Sequence, residues 1–72
     1  MNKIEIYTEY IPLSSFLKLA GAVISGGEAG DAVSNRLVKV DGEVCAQKRK
    51  KIAAGQIVSI GGTDYEVVKR CT

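Results

Sequence analysis

Apolar and polar residues alternate at the start of the chain, and a helical spacing follows. The stretch KIEIY, residues 3–7, alternates one by one, which is typical of a short strand with one buried face. Apolar residues then recur three and four positions apart, at Leu13, Phe16, Leu17 and Ala20. Pro12 suits the first turn of a helix, where its missing N–H costs nothing, and Gly21 suits the C-terminal end. We therefore predict a strand over residues 3–7 and a helix over about 13–20.

The stretch SGGEAGDAV, residues 25–33, predicts a second helix with a defined start. Ser25 and Glu28 have the spacing of a capping box, in which the serine accepts the third helical N–H and the glutamate reaches back. A thin apolar stripe then continues through Ala29, Ala32 and Val33. Gly26 and Gly27 are poor helix formers, so helix propensity does not account for them. We predict this helix over about 26–35.

Two hairpins complete the predicted fold. Asp41-Gly42 in LVKVDGEVCA is the typical two-residue type I′ turn, and its register sets Cys45 opposite Val38. Gly61-Gly62 forms the second turn, in QIVSIGGTDYEVV, where one buried face requires the pairs Ile60–Thr63 and Val58–Tyr65. The predicted class is α+β, with two short N-terminal helices packed on a small antiparallel sheet of about four to five strands. We expect a single domain over residues 1–72.

Composition narrows the possible functions. The chain has 72 residues, 46% of them hydrophobic, and a formal net charge of +2. It has no apolar run of the roughly 18 residues that a membrane helix needs, and no apolar segment typical of a signal peptide at its start. We therefore expect a cytoplasmic protein, a monomer, with no membrane partner.

Catalytic and metal-binding residue types are scarce. The chain has no histidine, which is the commonest general base and metal ligand. Its two cysteines, Cys45 and Cys71, cannot form a four-ligand zinc site unaided, and we expect structural or incidental roles for them. The sequence therefore predicts a protein that is not an enzyme and that needs no cofactor or metal.

Four consecutive cations, Lys48, Arg49, Lys50 and Lys51, form what we call the basic cluster. Four like charges cannot be buried together without partners, so the cluster must be solvated. Lysines commonly protect exposed sheet edges, which is one interpretation. Clustered cations also bind phosphates, because they release counterions from a polyphosphate backbone. Both interpretations stay open on the residues alone.

Two further features also have two interpretations each. The glycines after Ser25 either serve a tight turn or let a phosphate approach the first N–H groups of the helix, although Glu28 already places a carboxylate there. Tyr7 and Tyr10 can be structural, which we favour, or can stack on a base. Phe16 and Tyr65 are expected in the core.

The two short helices followed by LVKVDGEV resemble the S-four RNA-binding domain, a module named after a small-subunit ribosomal protein. FLKLAGAVISGGEA, residues 16–29, is similar to the small free-standing bacterial members, and the likeness extends from about Ile11 to Val68. Its most specific part is SGGEA followed by Val-x-Val-Asp-Gly-Glu. The resemblance implies non-catalytic binding of structured RNA, commonly ribosomal or transfer RNA, in the ribosome or its assembly.

The resemblance also implies site residues on a face made of the two helices and the adjoining hairpin. They are Lys18, Ser25, Gly26, Gly27, Lys39, Lys48, Lys50 and Lys51. Arg49 stands where free-standing relatives usually have glycine, and it adds charge. We expect the basic cluster to track phosphates, while the orientation of the RNA is set by the start of the second helix together with Lys18, Arg36 and Lys39. If about four phosphates are neutralised, log affinity falls with log salt at a slope of roughly −3.

Several positions depart from the family pattern. Basic residues are frequent in the family at three positions that are not basic here, namely Gly30, Gln47 and Ala53. Ala54 and Gln56 replace the usual proline and aspartate around Gly55. These departures predict weak RNA binding, or action beside a larger partner.

The alternative function is that of a protein-interaction module, an adaptor to a ribosomal or RNA-processing protein. The apolar connector Ala22-Val23-Ile24 would supply its contact surface if it were exposed. Binding that is insensitive to salt would favour this alternative.

Overall fold

Two helices and seven short strands make up residues 2–70, the part of the chain that this computed structural model describes. In chain order they are β1 (Asn2–Ile6), β2 (Tyr10–Pro12), α1 (Leu13–Leu19), α2 (Gly26–Ser34), β3 (Val38–Val40), β4 (Glu43–Val44), β5 (Lys51–Ala53), β6 (Ile57–Ile60) and β7 (Thr63–Lys69). The predicted α+β class is confirmed. The predicted first strand and both helices are present, each with bounds within one residue of the expectation.

The main sheet has five strands in the order β1-β7-β6-β3-β4 and is mixed rather than wholly antiparallel. β1 pairs in parallel with β7, with Ile4 opposite Val67, whereas the other pairs are antiparallel. Two strands also precede the helices, so the helices are not strictly N-terminal. A local pattern carries no information about the pairing of the first strand with the last, which explains why the parallel pair was not predicted.

Both predicted hairpins are confirmed in their register. Val40 pairs with Glu43 around the Asp41-Gly42 turn, and both turn residues have positive φ angles, 52° and 86°, as a type I′ turn requires. The N–H of Cys45 donates to the carbonyl of Val38 at 3.0 Å. In the second hairpin the pairs are Ile60–Thr63 and Val58–Tyr65, as predicted.

A small antiparallel ribbon of β2 and β5 was not predicted. β2 enters α1 directly, so Pro12 is the N-cap residue, with an extended ψ of 142°, rather than part of the first helical turn. β5 begins at Lys51, the last residue of the basic cluster, so the predicted connector contains a strand. Each strand has only three residues, which is too short for an alternating pattern to reveal.

Each helix ends at a residue in the left-handed conformation. Gly21 follows α1 with φ of 75°, and Arg36 follows α2 with φ of 59°. In both places two carbonyls of the last turn accept the N–H of this residue and of the next, which is the Schellman arrangement. The predicted role of Gly21 as a helix stop is confirmed.

One hydrophobic core lies between the helices and one face of the main sheet. Its buried members are Ile6, Leu13, Phe16, Leu17, Val23, Ala29, Ala32, Val33, Val38, Val40, Cys45, Ile52, Val58 and Val67. Phe16 is fully buried and Tyr65 packs against the core, as predicted. Cys45 is a buried free thiol, whereas Cys71 lies outside the described residues. No helix within residues 2–70 is long and apolar enough to cross a membrane.

Candidate nucleic-acid interface

The start of α2 exposes two backbone N–H groups. Ser25 has an extended backbone, and its hydroxyl accepts the N–H of Glu28 at 3.2 Å, which confirms the serine half of the predicted capping box. No hydrogen bond from the Glu28 side chain back to Ser25 occurs among the described residues. The N–H groups of Gly26 and Gly27 have no partner within residues 2–70. They are therefore available to an anion, which the helix dipole also favours.

The backbone of the basic cluster caps the start of α1. The N–H of Leu13 donates to the carbonyl of Lys50 at 2.8 Å, and the N–H of Ser14 donates to the carbonyl of Lys48 at 2.9 Å. Pro12 makes no side-chain cap, so these carbonyls satisfy N–H groups that a helix start otherwise leaves free. The cluster is consequently fixed to the helical layer although its side chains are exposed.

The side chains of the basic cluster diverge instead of forming one strip. A methyl group placed on Gly30 would lie 3.7 Å from Cδ and 4.0 Å from Nζ of Lys48, so Lys48 lies over α2. The ammonium group of Lys51 lies 4.6 Å from the ring centroid of Tyr10. Lys50 borders a hollow at the β3–β4 hairpin. The cluster can therefore reach phosphates at different places around the loop.

A groove of about 450 Å³ runs along α2, and we call it the α2 groove. Its walls include Gly26, Gly27, Gly30 and Asp31 of α2, with Ala46 and Lys48 opposite. Three of these residues lack a side chain, so a ligand can come close to the helix backbone. Gly30 stands where the resemblance leads us to expect a lysine, but the Lys48 side chain supplies a positive charge at the same place.

Asp31 was not among the predicted site residues, yet it lies in the α2 groove. It follows Gly27 by four positions, so the helical spacing alone places it on the same face. Its negatively charged carboxylate repels an anionic ligand. The α2 groove is therefore less positive than its lysine suggests.

The structure brings some of the predicted site residues together and separates others. Ser25, Gly26, Gly27 and Lys48 meet at the α2 groove or at its end. Lys18 is exposed in the last turn of α1, Arg36 is exposed just beyond α2, and Arg49 is exposed in the loop of the basic cluster. Lys39 lies on the outer face of the sheet, because its neighbours in β3, Val38 and Val40, point into the core. The structure therefore does not bring Lys39 to the face of the two helices, where we expected it.

A hydrogen-bond network positions the strands around the basic cluster. Asp41 accepts the N–H of Ile57 at 3.0 Å and the side-chain amide of Gln56 at 3.1 Å. The side-chain oxygen of Gln56 accepts the N–H of Ala53 at 2.7 Å. The pKa of Asp41 is lowered chiefly by the hydrogen bond from Ile57. The hydrogen bond from Gln56 and the positive charge of Lys50 lower it further. Gln56, which departs from the family pattern, thus ties the loop after β5 to the β3–β4 turn.

The apolar connector between the helices is only partly exposed. Val23 is buried, Ala22 packs against the core, and Ile24 is 89% exposed. Of these three side chains, that of Ile24 is free to contact a protein partner. The alternative function requires the whole connector to form an exposed apolar surface.

Comparison with known proteins agrees with this geometry. The S4 domain family matches the chain over residues 4–68. The chain belongs to the S4 domain family. This is the S-four domain of the sequence comparison, so the resemblance is confirmed.

Two relatives of this S4 domain protein span most of its length. It is 46% identical over 59 residues to YbcJ from Escherichia coli (strain K12), covering 82% of this chain and 84% of YbcJ. It is 41% identical over 61 residues to a protein of Bacillus subtilis (strain 168) named "Probable ribosome maturation protein RlbA", covering 85% and 86% of the two chains.

The solution structure of E. coli YbcJ has the same fold as this S4 domain protein. The TM-score is 0.73 at 40% sequence identity, and the superposition covers 94% of this chain and 87% of YbcJ. That structure is described as revealing an αL motif involved in RNA binding. The fold that carries the α2 groove is thus shared with YbcJ.

Proposed function

We propose that this protein binds structured RNA, ribosomal or transfer RNA, without catalysing a reaction, and that it acts in the cytoplasm during ribosome maturation. The observation that carries the proposal is the position of the basic cluster. Its backbone is fixed to α1, its first side chain lies over α2, and no member has an acidic partner within 4 Å in residues 2–70. Four exposed cations that form no ion pair within the described residues favour a ligand that supplies several negative charges.

The α2 groove is proposed to receive one segment of the phosphate backbone. Lys48 supplies the charge, and the free N–H groups of Gly26 and Gly27 donate hydrogen bonds to phosphate oxygens. Ser25 holds the helix start in place, because its hydroxyl accepts the N–H of Glu28, and the same hydroxyl can donate its hydrogen to a phosphate oxygen. Asp31 reduces the attraction, so we expect modest affinity.

The remaining cations are proposed to orient the RNA around this contact. Arg49 lies in the exposed loop, and Lys50 and Lys51 diverge from it toward the β3–β4 hairpin and the β2–β5 ribbon. Lys18 and Arg36 extend the positive face along the helices. An A-form helix displays its shape and 2′-hydroxyl groups more readily than its base identity, so the expected sequence specificity is low.

Fluorescence anisotropy with a structured ribosomal RNA fragment tests the proposal. The wild type is compared with a variant in which residues 48–51 are all changed to alanine, which keeps the backbone carbonyls that cap α1. We expect the wild type to bind with a log–log salt slope of roughly −3 and the variant to lose most of this binding. Circular dichroism verifies that the variant is folded.

A charge-matched control uses the outer face of the sheet. Changing both Lys3 and Lys39 to alanine removes two positive charges, as does changing Lys48 and Arg49. Both control residues are exposed and lie on the outer face of β1 and β3. Equal losses of affinity from the two pairs would show that only net charge matters. Salt-insensitive binding, or no binding at low salt, would instead favour the adaptor function.

A further inference from the structure

The β2–β5 ribbon presents an unusual outer face beside the basic cluster. Its register pairs Tyr10 with Ala53, Ile11 with Ile52, and Pro12 with Lys51. Side chains alternate along each strand, so Ile11 and Ile52 face the core, where Ile52 is fully buried. The opposite face carries Tyr10, Pro12, Lys51 and Ala53.

Tyr10 on this face is exposed and has a fixed backbone. About half of the residue is exposed, 49%, and its hydroxyl has no partner within residues 2–70. Its main chain is held by the pairing of β2 with β5 and by the Thr8 hydroxyl, which donates to the Tyr10 carbonyl at 2.6 Å. The residue across the ribbon is Ala53, which leaves space beside the ring. The ring is therefore preorganised at the surface without serving the core.

The cation beside this ring belongs to the basic cluster. The ammonium group of Lys51 lies 4.6 Å from the ring centroid and has no acidic partner within residues 2–70. The preceding carbonyl, that of Lys50, accepts the N–H of Leu13 at 2.8 Å, so the ring and the cluster are held by the same segment of backbone. An aromatic face and a free cation thus lie together at the border of the proposed RNA-binding surface.

Tyr7 offers an informative contrast. Its ring also lies near a cation, with the guanidinium carbon of Arg70 at 5.7 Å from the centroid. That guanidinium group, however, donates to the Tyr7 hydroxyl at 3.2 Å and lies 3.6 Å from the Glu5 carboxylate. Arg70 is consequently neutralised within the fold, and its contact with Tyr7 joins the end of β1 to the segment after β7.

We propose that Tyr10 and Lys51 bind one unpaired nucleotide of the RNA, with its base stacked on the Tyr10 ring and its phosphate on the Lys51 ammonium group. Stacking on an aromatic side chain accepts any base, whereas the phosphate attracts the ammonium group away from the ring face. The RNA that this surface binds is then a helix interrupted by a bulged nucleotide, not a continuous duplex. This inference rests on the proposed function and specifies the RNA that the same surface takes.

The test uses two blunt-ended RNA duplexes of two strands each, which differ only by one bulged nucleotide, so that the continuous duplex has no unpaired nucleotide. Anisotropy titrations compare the wild type with Tyr10→Leu, Tyr10→Phe and the matched control Tyr7→Leu. We expect the wild type and Tyr10→Phe to bind the bulged RNA about tenfold more tightly than the continuous duplex, a size typical of one stacked base. Tyr10→Leu should remove this preference, and Tyr7→Leu should keep it.

A second measurement does not depend on any variant. With 2-aminopurine as the bulged base, stacking on Tyr10 should quench its fluorescence when the wild-type protein binds. Equal affinity of the wild type for both duplexes, a preference that survives in Tyr10→Leu, or unchanged 2-aminopurine fluorescence in the complex would each overturn the nucleotide site while leaving RNA binding intact. Failure of the wild type to bind either duplex at low salt would overturn the proposed function itself.

Discussion

Asp41 shows how one residue can hold the loops around a binding surface. It occupies a left-handed turn position, which aspartate tolerates better than most residues, and its carboxylate accepts two hydrogen bonds from the segment after β5. The turn chemistry was evident in the Asp-Gly pair. The two long-range bonds were not, because they join residues 15 and 16 positions apart.

The lowered pKa of Asp41 makes part of the stability depend on pH. The unfolded carboxyl titrates at about 3.9 and the folded one below this value, so the ionised form stabilises the fold. This contribution is complete above the unfolded pKa and is lost as the pH falls through the folded pKa. Chemical denaturation between pH 6 and pH 3 should show the wild type losing stability more steeply than Asp41→Asn. Identical pH profiles would contradict this role.

Asp31 is the residue whose removal should improve binding. Its carboxylate lies in the α2 groove, where we place a phosphate, so Asp31→Asn should strengthen binding at low salt by about threefold. The gain should shrink as added salt screens the repulsion. Asp64→Asn on the outer face is the control, and it should leave the dissociation constant unchanged. Weaker RNA binding by Asp31→Asn would contradict the position of the phosphate in the α2 groove.

At the scale of elements, α2 is a helix whose residues have low helical propensity. Three of its nine residues are glycine. Gly30, which lies in the helix interior, costs about 1 kcal/mol relative to alanine, whereas Gly26 and Gly27 stand in the first turn. The apolar stripe of Ala29, Ala32 and Val33 stabilises the helix by packing into the core. The glycines instead leave the α2 groove open, which connects the weak propensity to the proposed function.

Gly30→Ala should therefore stabilise the protein. An added methyl group would meet Lys48 at ordinary van der Waals distances of 3.7 and 4.0 Å, so no neighbour has to move. We expect a gain of about 1 kcal/mol in the free energy of unfolding, or roughly 4–8 °C in the melting temperature. Gly55→Ala is the matched control, which should destabilise because Gly55 has φ of 94°. A lower melting temperature for Gly30→Ala would contradict the conclusion that a methyl group fits at this position of α2.

The elements differ in how far the sequence could predict them. The helices and the two hairpins follow from signals within a few residues, namely the Ser25 cap, the Gly21 helix stop and the two-residue turns of the hairpins. The β2–β5 ribbon and the parallel pairing of β1 with β7 depend on contacts between distant segments. For the same reason the basic cluster could be recognised as solvated, but the divergence of its side chains could not be predicted.

For the whole molecule, charge is divided between two faces. The helical layer holds the basic cluster, the α2 groove, Lys18 and Arg36. The outer face of the sheet mixes Lys3 and Lys39 with Glu5, Asp64 and Glu66, and there Ser59 donates a hydrogen bond to Asp64. The small net charge of +2 conceals this division, so composition alone gave little sign of a nucleic-acid partner. Family resemblance carried that prediction, and the position of Lys48 over α2 now gives it a physical basis.

The most direct test of the binding surface is a nuclear magnetic resonance titration of the labelled protein with a structured ribosomal RNA fragment. We predict the largest amide shift changes at Gly26, Gly27, Gly30 and Lys48, and changes at or near the noise level at Lys3, Lys39, Ser59 and Asp64. This pattern would show that the RNA lies along the α2 groove. Changes centred on the outer face of the sheet, or on Ile24, would contradict the proposed interface.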